Sequence, residues 1–298
     1  MQELISVVMP CYREPTEIVV EALDSILMQT YKNFEIIIVM EPEYPELEVI
    51  LGEYKKRHGN LIVHVNTKRQ GLPKSLNLGI KMAKGRYIAR MDADDLSLPW
   101  RLEWEIEYLT SRALDLVGTY YEMIHENGMY KGIVTGPLQS TEIYTELLKG
   151  NCIGHPTWLM KKEVWEKVGG YDDFPYAEDY HFLLKARKLG IGLGVMPKIC
   201  IKYRRGDKEY PLRAILMAEY LGEHCEEIFD VTPERVQEYL DSVEGEKKRS
   251  DMEKYRALLS KFRNGKWSKL WYGMQMFQCS YGRAAFGRRL LRWCGKLE

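Results

Sequence analysis

The stretch GRYIARMDADDLSLP, residues 85–99, sets four sheet-forming or apolar positions before three carboxylates, Asp92, Asp94 and Asp95. Acidic residues favour the start of a helix, where the backbone dipole is positive, and Pro99 suits a first-turn position. One acid would serve that purpose. Three carboxylates within four residues repel one another, and the arrangement is costly unless a cation or several donors neutralise it. Hard, oxygen-preferring ions such as Mg2+ and Mn2+ meet that need. Mg2+ commonly takes one or two protein carboxylates and completes its shell with water and substrate phosphates. The stretch therefore reads as a buried strand that delivers a metal-phosphate site at its carboxyl end.

Upstream of it, short apolar strands alternate with amphipathic helices. LISVVM (4–9), FEIIIVM (34–40) and LIVHV (61–65) are strand-length apolar runs, while PTEIVVEALDSILMQ (15–29), PELEVILGEYKKRH (45–58) and the segment containing KSLNLGIKMA (74–83) follow helical spacing. Strands apolar throughout, each followed by a helix, imply an α/β fold with a mainly parallel sheet covered on both faces. Ligands of such sheets bind beyond the carboxyl ends of the strands. Tyr12 and Arg13, Met40 and Glu41, Lys68 and Arg69, and Asp92 to Asp95 all follow strands and are expected to converge on one edge. Neither G-x-G-x-x-G nor a P-loop occurs, which disfavours a dehydrogenase-type dinucleotide fold and a P-loop NTPase.

After residue 112 the pattern changes. LDLVGTYYEMIHENGMYKGIV (114–134) reads as two strands joined at Asn127-Gly128, followed by a helix near 140–149 and strands around KICIKYR (198–204). From about residue 210 only helical patterns remain, interrupted by VTPERV and RNGKW. The expected division is a catalytic domain over 1–207 and a helical C-terminal region over 208–298. Glu178 and Asp179 open a convincing helix in YAEDYHFLLKARKLG (176–190). Dipole complementarity or capping is one reading of that pair. The other is a second catalytic carboxylate site: one acid group neutralises a leaving phosphate through a metal while this one accepts a proton from the incoming nucleophile.

A chain of 298 residues can bury a full core and allows one large domain with an appendage. Its formal net charge of zero gives the whole molecule no electrostatic reason to seek nucleic acid. The six cysteines, Cys11, Cys152, Cys200, Cys225, Cys279 and Cys294, form no CxxC pair and no zinc spacing, and read as reduced, mostly buried thiols. MQELISVVMP lacks a basic leader with a long apolar run, and no apolar stretch is long enough to span a bilayer. A cytoplasmic protein is the expectation, with peripheral association at the membrane face left open. Residues 261–298 carry nine Lys/Arg against one acid, interleaved with aromatics. They suit either core-packing helices with a solvated basic face or a segment lying on an anionic lipid surface.

SVVMPCYREP, ALDSILMQTYKNFEIIIV, GLPKSLNLGIKMAKGRYIARMDADD, HPTWLMKKEVWEKVGGYDD, AEDYHFLLKARKLG and IKYR occur in an order, over roughly the first 205 residues, that resembles the family 2 glycosyltransferases of GT-A fold. The tail is outside the resemblance. Asp92-Ala93-Asp94 then matches the DxD motif, which implies Asp94 as a ligand of Mn2+ or Mg2+ and Asp92 close to the nucleotide, with Asp95 extending the motif. Asp179 matches the second acid of the family's ED motif, the general base, and Glu178 precedes it. Pro10 and Tyr12 fall on the donor side, Tyr12 near the nucleobase. Many relatives carry two aspartates after the second strand that help bind base and ribose; this chain has Met40 and Glu41 there, with Glu41 as the substitute. Arg69, Lys74, Arg204 and Arg205 are candidate phosphate partners, set against plain solvated charge. His155 and Trp158 lie in a stretch expected at the acceptor cleft, where Trp158 either stacks on a sugar face or belongs to a core strand.

The resemblance implies an inverting, metal-dependent enzyme that moves a sugar from a nucleotide donor to a hydroxyl of a saccharide or lipid-linked saccharide. UDP is favoured as carrier by family frequency, and glycan or polysaccharide biosynthesis is the setting. A nucleotidyltransferase would carry a glycine- and basic-rich triphosphate loop after its first strand, which MPCYREP is not. A catalytically silent nucleotide-sugar-binding subunit of a membrane-associated assembly is the other rival, and intact Asp94 and Asp179 argue against it.

Overall fold

The computed structural model describes residues 2–42, 44–206 and 210–264. The first half runs β1 (Ile5–Cys11), α1 (Thr16–Leu27), β2 (Phe34–Met40), α2 (Pro45–Arg57), β3 (Leu61–Val65), α3 (Leu72–Met82) and β4 (Tyr87–Arg90). Every residue of β1 and β2 is buried; the runs are apolar apart from Ser6 and Glu35, and the Ser6 hydroxyl donates to the Glu35 carboxylate at 2.6 Å. Alternation then assigns each side chain to one of two covered faces. Ile5, Val7, Met9 and Cys11 enter a core with Val19, Ala22, Leu23 and Ile26 of α1 and Leu47 and Leu51 of α2. On the opposite face Val8 meets α3 so closely that a Cβ at Gly79 would stand 2.6 Å from Val8 Cγ1, and the glycine is what lets the helix seat on the sheet. Each large aliphatic side chain buried this way contributes about 1.5–3 kcal/mol.

The chain continues through β5 (Leu96–Ser97), α4 (Arg101–Ser111), β6 (Leu116–Ile124), β7 (Tyr130–Val134), α5 (Ser140–Leu147), β8 (Leu159–Lys161), α6 (Lys162–Val168), α7 (Glu178–Lys188) and β9 (Leu193–Arg204). The sheet order is β3-β2-β1-β4-β8-β6-β9-β5, with β7 added on β6. Pairing is parallel from β3 to β4, antiparallel on both sides of β8, parallel again between β6 and β9, and antiparallel where β5 meets β9. The result is the expected α/β, GT-A-type sheet, more mixed in its second half than the apolar runs alone suggest. The hairpin turns at Gly128, whose φ of 81° favours glycine. No helix begins at the acidic knot: after Asp95 the chain enters β5, and α4 starts only at Arg101.

Two compact units emerge, one comprising Met1–Lys208 with Leu221–Val231, the other Glu209–Tyr220 with Thr232–Glu298. The division is thus discontinuous, where the sequence suggests a single cut after residue 207. C-terminal to β9 lie α8 (Leu212–Glu223), α9 (Pro233–Leu240) and α10 (Val243–Asn264). Thr232 caps α9 by accepting the Arg235 N–H at 3.2 Å, and within the second unit the rings of Tyr220 and Tyr239 lie 4.6 Å apart. Among the described residues no helix is long and apolar enough to cross a membrane. The basic, aromatic stretch from residue 265 onward lies outside the described residues.

Candidate active site

The strand ends β1, β2 and β3 do converge. Glu41, the residue after β2, is buried, and its carboxylate accepts the Gln70 N–H at 3.0 and 3.1 Å, the Gly71 N–H at 2.9 Å and the Ser75 hydroxyl at 3.3 Å. Gly71, at φ +85°, begins α3, so Glu41 satisfies backbone donors that a helix start leaves open. Its carboxylate thereby ties the end of β2 to the loop that opens α3. The loop in turn places the Arg69 guanidinium 4.4 Å from the centroid of the Tyr12 ring, with Arg13 at 5.1 Å. Pro10 is buried within β1 opposite Val39. Glu14, which the sequence reading passed over, accepts the Tyr12 N–H at 2.7 Å and the Cys11 S–H at 3.4 Å and adds negative charge beside Asp94. Lys74 pairs with Asp173 at 2.5 Å with both side chains about half exposed.

Oxygens of Asp92, Asp94 and Asp95 all lie within 4.8 Å of one another. Two of the three are already committed. Arg90, buried at the end of β4, holds Asp92 through Nη2 at 2.5 Å, and the Arg204 N–H donates to Asp95 Oδ1 at 2.8 Å. Arg204 spends its whole guanidinium nearby: Nε donates to the Asp94 carbonyl at 2.9 Å, Nη1 to the Glu126 carbonyl at 2.8 Å, and Nη2 pairs with Glu21 at 2.9 Å. It is therefore a clamp on the acidic loop, neither the plain solvated charge nor an uncommitted candidate phosphate partner. Asp94 keeps its carboxylate uncommitted to any other described residue. Burial first, then Asp92 and Glu14, push its pKa up to about 7, while burial, Asp92 and Asp94 hold Asp95 well above the ordinary carboxylate range. Asp95 Oδ2 is buried with no hydrogen-bond partner among the described residues. An all-oxygen donor set, mutual repulsion and an orphaned buried oxygen fit a hard divalent cation.

Glu178 and Asp179 open α7 after Ala177, whose φ of +60° is left-handed for a residue with a Cβ and costs about 1–2 kcal/mol. Strain of this kind gathers where a side chain must be aimed. Glu178 is buried, with Oε1 3.7 Å from His155 Nδ1. Asp179 Oδ2 accepts the Asn151 side-chain amide at 2.6 Å, and Oδ1 accepts the Tyr180 N–H at 2.7 Å. Burial raises the pKa of both acids, and for Asp179 the charge of Glu178 adds to it, a direction that suits a proton acceptor.

His155 is buried with Nε2 2.9 Å from the Tyr171 hydroxyl, and burial together with the Arg90 charge pushes its pKa down to about 3, so it is neutral at pH 7. Trp158 has no exposed surface. Its ring packs 4.5 Å from His155 and 5.7 Å from Phe182, and its indole N–H reaches the Ile153 carbonyl at 3.3 Å. Of the two readings of Trp158, this is the core one; it offers no face to a sugar.

Arg90 joins the two acid groups. Its charge bears on Asp92 and Asp95 on one side and on Glu178 and Asp179 on the other, yet its Nε and Nη1 are buried without a hydrogen-bond partner among the described residues. The Trp158 carbonyl takes its N–H at 2.9 Å and Arg101 holds its carbonyl at 2.8 Å, so the backbone under it is fixed. Its one sequence signal is an arginine inside the apolar run RYIARM.

An archaeal protein described as uncharacterized glycosyltransferase MJ1057, from Methanocaldococcus jannaschii, is 31% identical over 215 residues, covering 71% of this chain and 74% of that one. The O-antigen biosynthesis glycosyltransferase WbnJ of Escherichia coli is 35% identical over 184 residues, 61% of this chain and 71% of its own. In fold, the chain is similar to S. aureus TarS 1–349 crystallised with UDP-GlcNAc, at a TM-score of 0.56 and 18% identity, over 82% of this chain and 78% of that one. Residues 6–169, which run from β1 through the acidic knot to the end of α6, match the family described as Glycosyl transferase family 2, and the chain belongs to that family.

Proposed function

We propose that this glycosyltransferase moves a sugar from a UDP-linked donor to a hydroxyl of a saccharide or lipid-linked saccharide, with inversion at the anomeric carbon, in glycan or polysaccharide biosynthesis. The observation that carries the reading is the pairing of two carboxylate groups around buried Arg90: one with an uncommitted Asp94, the other with Asp179 hydrogen-bonded at both oxygens. Asp94 and Asp92 would hold Mn2+ or Mg2+, and the ion when bound supplies counter-charge for a departing nucleoside diphosphate. Tyr12 and Arg69 flank the nucleotide side of that position. Asp179 accepts the proton of the acceptor hydroxyl as its oxygen bonds to the anomeric carbon and the bond to the diphosphate breaks on the opposite face. Glu178 and neutral His155 lie beside it.

Support for the donor class comes from the TarS structure, which holds UDP-GlcNAc, and for the setting from WbnJ, which is named for O-antigen biosynthesis. The basic, aromatic stretch after residue 264 suits a cytoplasmic membrane face where a lipid-linked acceptor would be met. In Asp179→Asn, turnover falls about 10²–10⁴-fold, the size of a lost general base, while Mn2+-dependent UDP binding survives. Turnover that persists in this variant refutes the base assignment. A wild-type chain that binds donor yet turns over none with any acceptor supports the silent-subunit reading instead.

A further inference from the structure

Asn151 lies on the loop between α5 and β8, in GNCIGHPTW, and the sequence gives it no distinguishing mark. Its side chain makes two directed contacts. The Ile153 N–H donates to Asn151 Oδ1 at 3.0 Å, which fixes the amide so that its nitrogen faces the other way, and Nδ2 donates to Asp179 Oδ2 at 2.6 Å. Ile153 is itself anchored, because its carbonyl accepts the indole N–H of Trp158 and its side chain packs over Gly118. A continuous chain of bonds thus runs from a fully buried tryptophan, through one loop residue and one side-chain amide, to the carboxylate assigned as base.

We infer that Asn151 is a positioning residue for the transfer reaction, holding Asp179 ionised and rotated so that one lone pair remains for the acceptor hydroxyl. The inference rests on the reading of Asp179 as general base. With Oδ1 on the Tyr180 N–H and Oδ2 on the amide, the carboxylate cannot turn about its own axis without losing a charge-assisted bond. The remaining charged and titratable groups that bear on Asp179 are Glu178 on its own helix, His155 on the turn before β8, Arg90 on β4 and Tyr171 before α7. His155 is neutral, Glu178 repels and Arg90 favours the ionised form, so the Asn151 amide and the Tyr180 N–H are the two neutral donors bonded to the carboxylate, and only the amide comes from a side chain.

The titration needs no donor or acceptor; only the turnover of Asp179→Asn does. In the full chain, 13C-labelled at aspartate carboxylates, the Asp179 resonance is assigned by its loss in Asp179→Asn and followed through a pH titration. Asn151→Ala is expected to raise its midpoint by about one pH unit, tenfold in the acid constant, because a donor to the charged form is gone. Asn151→Asp keeps an acceptor for the Ile153 N–H and therefore keeps the loop; it is expected to raise the midpoint further by placing a like charge beside Asp179. An unmoved midpoint in both variants overturns the inference. So does a shift in Asn151→Ala alone, since that outcome belongs to loop distortion. If the midpoints move as expected but Asp179→Asn retains turnover, the hydrogen bond stands and the base reading falls. If Asp179→Asn is inactive and the midpoints stay, the base reading stands and the role of Asn151 falls.

Discussion

Asp92, Asp94 and Asp95 are adjacent in sequence and held by arginines: Arg90 from the preceding strand and Arg204 from the end of β9. Asp179 lies 84 residues beyond Asp95 and is held by one side-chain amide and one backbone N–H. The first arrangement places fixed positive charge under a cluster that carries more negative charge than it can keep ionised alone. The second leaves a single carboxylate whose proton affinity is set by burial, one neighbouring acid and neutral donors. A site that must hold a cation and a diphosphate gains from rigid counter-charge. A site that must take up and release a proton gains from a pKa that lies within reach of the working pH. Arg90, facing both, is where the two designs meet.

Removing Arg90 breaks the comparison hardest. Arg90→Met leaves Asp92 and Asp95 without their shared buried cation, and loss of one partner of a buried ion pair costs about 3–5 kcal/mol. A urea denaturation series would show that loss as a fall in midpoint at unchanged slope; a change under about 1 kcal/mol, the range of an exposed pair, would mean that Arg90 does not neutralise the knot.

Gly118→Ala separates the two regions. A Cβ there would stand 2.2 Å from Ile153 Cγ2 and 3.0 Å from Thr157 Oγ1, both on the segment that supports Asn151. Overpacking of this size costs about 1–3 kcal/mol. Turnover should fall while Mn2+-dependent UDP binding holds; equal loss of both would show that the loop serves the donor side as well.

The effect most gradual in its onset is a pH slope. His155 titrates near 3 in the folded chain against an ordinary value of about 6.5, so between those limits the unfolded chain binds more protons. Stability contributed by neutral His155 is therefore complete above about pH 6.5 and declines as pH falls toward 3, by about 1.4 kcal/mol per pH unit. Thermal midpoints of His155→Gln should decline less steeply with acid than those of the wild type; parallel declines would place the buried imidazole outside the acid response.

How far each region could be read in advance follows from how local its determinants are. The strands β1 to β4 are mostly apolar runs, and the acidic knot falls within four consecutive residues whose repulsion is plain from spacing. The remainder depends on pairing across distance. β5 is two residues long and exists because Leu96 and Ser97 pair with Lys202 and Ile201, so the segment reads locally as a helix start. Glu41 looks like a ligand until Gln70, Gly71 and Ser75 fold onto it. Arg204 looks like open charge until Asp94, Glu126 and Glu21 take its nitrogens. Trp158, even-handed between core and cleft in sequence, is decided by His155 and Phe182, and Asn151 gives no signal because its partner stands 28 residues away.

The most direct measurement is a calorimetric titration of the full chain with UDP, GDP, dTDP and CMP, with and without Mn2+, repeated in Asp94→Ala. UDP is expected to bind, its binding to need Mn2+, and Asp94→Ala to abolish it without unfolding the chain. Equally weak binding of every nucleotide, unaffected by metal or by Asp94→Ala, would make the three aspartates a structural feature and remove the chemical centre of the proposed transfer.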